Sequence, residues 1–212
     1  YNVVDSIVVG NYIGKEALAA VGASFPFIFM LIALVIGIAS GTTIIIAQYF
    51  GAKDHKSIIR AIDTMYIFLF FASIFLSTVG IIFSDEILNI IKLPPDVIPQ
   101  AKLYLTIYLS GLILFFGFNG TCAILRGLGD SKTPLFFLII STIINIILDL
   151  LFVIVFHWGI AGVATATIIS QAVAFTIAIL YLNRTHAIIN LSFRKLVFDR
   201  SIFLKSLRIG IP

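Results

Sequence analysis

Five nearly uncharged apolar runs, residues 17–50, 64–84, 103–125, 133–157 and 159–183, decide what this chain can fold into. Each reaches the roughly 20 residues that a helix needs to cross about 30 Å of hydrocarbon. Lipid gives the backbone no hydrogen-bond partners, so only helices and closed barrels can span it. A barrel would show short segments alternating with period two, and these runs do not alternate. The expected fold is therefore all-α, a polytopic membrane helix bundle. Charge agrees: only 11% of the residues are charged, against about a quarter in a soluble domain.

Both ends read as cut helices. The opening "YNVVDSIVVG" is apolar, too short to span, and lacks the basic flank of a signal peptide. It reads as the second half of a helix 1, and "SLRIGIP" reads as the start of a helix 7. The expected order is the end of helix 1, five complete spans as helices 2–6, and the first turn of helix 7, in a piece of a longer protein. The boundaries are 1–183 for the transmembrane bundle, 184–205 for a linker and 206–212 for the start of helix 7.

Basic residues give the orientation. Lys53, Lys56, Arg60, Arg126, Lys132, Arg184, Arg194, Lys195, Arg200, Lys205 and Arg208 lie on one side, eleven of the 14 Lys and Arg. Lys15, Lys92 and Lys102 lie on the other. By the positive-inside rule the first set faces the cytoplasm, which makes the linker cytoplasmic and the chain a multi-pass protein of the cell (inner) membrane. The linker mixes basic and apolar residues, as a helix lying on the membrane surface does. The basic strip is topology signal, and nucleic acid is not an expected partner.

Of the ten acids, most fall in loops, and Asp5, Asp63 and Asp149 do not. Asp63 lies three residues from Arg60, and a same-face helix pair explains it. Asp5 and Asp149 need another reason. Helix 1 leaves the bilayer near Gly10 to Gly14 and helix 5 near His157, so at 1.5 Å per residue both carboxylates lie roughly 10 Å below the outer boundary. Thr167 is seven residues below the re-entry of helix 6 near Ile160, at the same level. Asn145 is one turn from Asp149 on the same face. Four polar groups from three helices thus share one layer. Intramembrane carboxylates mark ion or proton pathways, and this set of hard oxygens suits Na⁺ or a shared proton. The plain alternative is hydrogen-bonding glue between helices, which ordinarily uses Ser, Thr or Asn and avoids an ionisable group.

Other features carry less. Gly37, Ser40 and Gly41 form a small-residue face for close helix packing. Pro26 should kink the second helix. "LRGLGDSKTP" has Ser131 where a phosphate-binding loop needs Gly before the Lys, so it reads as a tight turn. The single Cys122 excludes an intrachain disulfide. No nucleophile–base pair or metal cluster supports an enzyme, and no organic cofactor is expected.

"YNVVDSIVVGNYIGKEALAAVG", "AQYFGAKD", "LRGLGDSKTP", "NIILDLLF" and "GIAGVATATIISQ" together resemble the amino-terminal lobe of MATE (multidrug and toxic compound extrusion) transporters, nearest the DinF-like branch. The resemblance implies a six-helix amino-terminal lobe of a twelve-helix protein, with 184–205 as the inter-lobe linker. It implies a secondary active antiporter that exports cationic or amphipathic compounds in exchange for Na⁺ or H⁺. It also implies a cation site at Asp5, Asn145, Asp149 and Thr167, with Tyr1 near the pocket, and partners in membrane lipid, the small-molecule substrate and a second lobe of the same protein. Two other readings stay open: a lipid-linked oligosaccharide flippase of the same superfamily, and a non-transporting membrane scaffold.

Overall fold

The computed structural model describes residues 2–185 and 196–210. These residues form helices α1 (Asn2–Tyr12), α2 (Lys15–Gly51), α3 (His55–Ile82), α4 (Ser84–Ile90), α5 (Ile98–Ser110), α6 (Leu112–Gly127), α7 (Thr133–Leu150), α8 (Gly159–Thr185) and α9 (Arg200–Gly210). A short π-helical segment, Leu151–Val155, continues α7. There is no strand among the described residues.

The apolar runs become the long helices. α2, α3, α7 with its π segment, and α8 are each long and apolar enough to cross a membrane, and α5 with α6 makes a fifth span bent by 50°. That bend, at Gly111, divides the span expected over 103–125 into two helices. Lipid-facing apolar side chains account for the exposure of residues such as Phe71, Phe75, Phe136 and Ile147. In this solvent, outward apolar groups and inward polar ones are the stable arrangement. α1 ends at Tyr12 and α2 begins after Gly14, whose φ of 129° suits glycine.

α9 lies across α2 on the small-residue face. A β-carbon at Gly41 would run into the Ser206 carbonyl oxygen, and one at Gly210 into that of Gly37. Close helix contact is thus what the glycines permit. α9 also begins at Arg200, six residues ahead of the expected start of helix 7, so its first turns occupy part of the expected linker.

Asp63 departs from expectation. It does not pair with Arg60: its Oδ2 accepts the Val197 amide at 3.2 Å, and Arg60 reaches Asp199 at 3.8 Å. Beside it, Thr64 Oγ1 accepts the Asp199 amide at 2.9 Å. Asp199 Oδ1 in turn accepts the amides of Ser201 and Ile202, capping α9. The carboxylate that local spacing assigned to its own helix is spent on a segment 134 residues away.

At the "LRGLGDSKTP" turn, Asp130 Oδ1 accepts the Thr133 amide at 3.0 Å and Oδ2 accepts the Tyr181 hydroxyl at 3.1 Å. The turn thereby ties the start of α7 to α8.

Candidate functional site

Asp5 on α1, Asn145 and Asp149 on α7, and Thr167 on α8 converge in the bundle interior. Asp5, Asn145 and Asp149 are fully buried and Thr167 is 2% exposed. The i, i+4 spacing puts Asn145 and Asp149 on the buried face of α7, while Ile143 and Ile147 on the same helix face outward. The Thr167 hydroxyl lies 3.2 Å from Asp5 Oδ2 and 3.2 Å from the Val163 carbonyl, two acceptors for its one proton. The Asn145 side-chain amide approaches Thr167 Oγ1 at 3.4 Å. Asp149 neighbours Asp5, close enough for the two carboxyls to interact electrostatically. Tyr1 lies outside the described residues.

The set has a fifth member that the sequence reading missed. Tyr104 on α5 is fully buried and donates its hydroxyl to Asp5 Oδ2 at 3.2 Å. Lys102 cut the apolar run short and put its start at 103, so Tyr104 looked like a boundary residue. In fact α5 begins at Ile98, and Lys102 reaches to Asp85 at 2.6 Å. Counting depth from the helix start would have found the tyrosine.

Donors and acceptors do not balance here. With both carboxyls ionised, Asp5 Oδ1, Asn145 Oδ1 and both oxygens of Asp149 are buried with no hydrogen-bond partner; a proton between Asp5 and Asp149, which lie within hydrogen-bond reach of each other, is the smallest guest that would supply one. Protein interiors leave few such groups, and four in one cluster present lone pairs to a guest that donates or is positive. The converging atoms are carboxylate, amide, hydroxyl and phenol oxygens, a hard set suited to Na⁺ or a proton. No group of three His, Cys, Asp or Glu side chains gathers among the described residues. The π-helical segment starts two residues after Asp149; such wide turns recur where a helix must re-aim its side chains at a site. A separate, mainly apolar cavity of about 450 Å³, lined by Tyr66, Phe70, Ile113 and Phe175 among others, shares no residue with this layer.

Comparison with known proteins places these residues in a wider set. The family model MatE matches residues 1–151. The chain is 33% identical over its whole length to the probable multidrug resistance protein YpnP of Bacillus subtilis (strain 168), covering 47% of that protein. It is 36% identical to the probable multidrug resistance protein YoeA of the same organism, over 99% of the chain and 47% of the relative. Among solved structures it matches an outward-facing and an inward-facing conformation of a multidrug resistance MATE family transporter of the MOP superfamily. The TM-scores are 0.90 and 0.91 at 27% identity, with all of the chain covered in both and 47% and 48% of those chains. The chain thus spans about half the length of the relatives it matches.

Proposed function

The chain belongs to the MatE family, and from that premise we propose that its buried oxygen layer is the coupling-ion site of a secondary active exporter. Na⁺ or H⁺ binds at Asp5 and Asp149, with Asn145 and Thr167 completing the oxygen set and Tyr104 orienting Asp5. The exported cargo is a cationic or amphipathic small molecule, the class that the resemblance to MATE transporters implies, and relatives are named as probable multidrug resistance proteins. The bundle is one lobe of the exporter, a second lobe supplies the other wall of the path, and the protein sits in the inner membrane with 184–205 in the cytoplasm.

The observation that carries this reading is the cluster of four donorless oxygens on Asp5, Asn145 and Asp149. A pair of helices held together by polar glue would have matched its acceptors with donors. The ion drives efflux because it binds one arrangement of the lobes better than the other, and cargo binds with the opposite preference. Influx of the ion then resets the protein after each release.

Two measurements test this. Full-length protein in vesicles should export a cationic dye when a Na⁺ or an H⁺ gradient is imposed alone, and the effective gradient names the ion. Asp149→Asn should abolish that export while expression and folding persist; export at the unmodified rate would sink the mechanism.

A further inference from the structure

The bend between α5 and α6 lies deep. Gly111 is thirteen residues from the start of α5 at Ile98, about 20 Å along the helix, and Gln171 is twelve residues into α8, about 18 Å. Both are therefore near the bilayer midplane, one turn of α8 inward of Thr167. Irregular backbone at that depth is tolerated only where it is buried in protein or lines a wet cavity. Here it does line one: a gap of about 10 Å³ bounded by Tyr108, Gly111, Phe115, Thr167, Ile168 and Gln171. That volume accommodates one water molecule.

The gap is not slack packing. A β-carbon at Gly111 would run into the Ile168 side chain, so α8 already presses against the bend. One side of the gap is polar and unmet: Gln171 is 3% exposed, and its Oε1 is buried with no hydrogen-bond partner. The amide lies on the same face of α8 as Thr167, four residues on. Thr167 borders both spaces, since its hydroxyl touches Asp5 Oδ2 and its side chain lines the gap.

We propose that Gln171 and Thr167 hold a small electropositive guest, a water molecule or the coupling cation itself, at the α5–α6 bend, a second station one turn inward of the carboxylate layer. Gln171 is then a positioning residue for ion passage: its carbonyl oxygen receives the guest's hydrogen or charge as the ion leaves the layer. The inference rests on the export reading of that layer.

The test uses full-length protein with two variants. Gln171→Leu keeps the size and removes the acceptor; Gln171→Glu keeps the shape and adds charge. NaCl titrations at fixed pH, and pH titrations without Na⁺, are followed by tyrosine fluorescence in detergent, and ion-driven dye export is followed in vesicles. Gln171→Leu should raise the ion concentration for half-saturation about tenfold, the worth of one hydrogen bond to a charged or hydrated guest, with the dye KM unchanged. Gln171→Glu separates the two guests: tighter Na⁺ half-saturation identifies the cation, and a changed pH profile with Na⁺ half-saturation unmoved identifies water. Unchanged ion titrations in both variants overturn the proposal. Should Gln171→Leu fail to fold, Gln171→Glu alone decides by the same criterion. The two readings fail separately, because loss of export in Asp149→Asn beside unaltered Gln171 variants defeats only this one.

Discussion

The molecule has two polar regions, one fully buried and one half-buried, built on opposite accounts of their hydrogen bonds. Where α3 meets α9, acceptors are matched: Asp63 takes the Val197 amide, Thr64 takes the Asp199 amide, and Asp199 takes two more. In the layer formed by α1, α5, α7 and α8, four acceptor oxygens have no donor. A region whose task is to hold helices together gains by satisfying every group. A region proposed to receive and release an ion must leave some acceptors free for it, and here Asp5 Oδ2 is held by Tyr104 and Thr167 while its Oδ1 is open. The contrast is what the proposed ion site would show beside a region that only holds helices together.

It also predicts that the two regions respond to mutation with opposite signs. The largest effect belongs to the layer: Asp5→Asn and Asp149→Asn should each abolish ion-driven export. Their thermal midpoints in detergent should stay level or rise, since a site kept ready for function costs stability that its removal returns. A large fall in the midpoint of both variants would show that the carboxyls hold the bundle together, and the comparison would break.

Next in size is the α2–α9 crossing. Gly41→Leu forces a side chain into the backbone of α9 at Ser206, and overpacking of this kind costs about 1–3 kcal/mol. The expected outcome is a lower midpoint together with faster proteolysis around α9. Unchanged protection of α9 would mean that the crossing is not held by close contact.

Much of this was legible in the sequence, and the reason is the solvent. Lipid forces apolar runs into helices of fixed rise, so run length reported α2, α3, α7 and α8. The same rise put Asp5, Asn145, Asp149 and Thr167 at one depth before any contact was known. What stayed hidden depends on distant partners or on local breaks in the helical repeat. Asp63 seemed to belong with Arg60 because i, i+3 spacing is visible in a sequence and a partner 134 residues away is not. Tyr104 was masked by Lys102, a charge that reaches out to Asp85 from a helix already under way. The bend at Gly111 and the π turn after Asp149 leave the apolar pattern intact, so hydropathy passes over both.

The α3–α9 clasp gives the third effect. Asp63→Ala hands the half-exposed Val197 amide to water, a loss of about 0.5–1.5 kcal/mol. Asp63→Asn keeps an acceptor oxygen and should cost less. Both should export at near-normal rates once folded, which chemical unfolding in mixed micelles beside vesicle export would check. Loss of export at an unaltered unfolding midpoint would move Asp63 from the structural to the functional side.

The smallest effect sharpens the comparison outside the membrane. Asp130 is only slightly buried, which pushes its carboxyl up, but the hydrogen bonds from Thr133 and Tyr181 outweigh that and hold it below the ordinary carboxylate range. A folded value below the unfolded one, near 3.9, contributes stability that is present above that value and fades as pH falls through the folded one. Tyr181→Phe removes one of those bonds. In a solvent-accessible turn it should cost about 0.5 kcal/mol at pH 7, and the difference from the unmodified protein should shrink below about pH 4. A difference that persists undiminished in acid would show that the tyrosine hydroxyl acts by accepting the Thr133 hydroxyl at 3.3 Å, and not through the carboxylate.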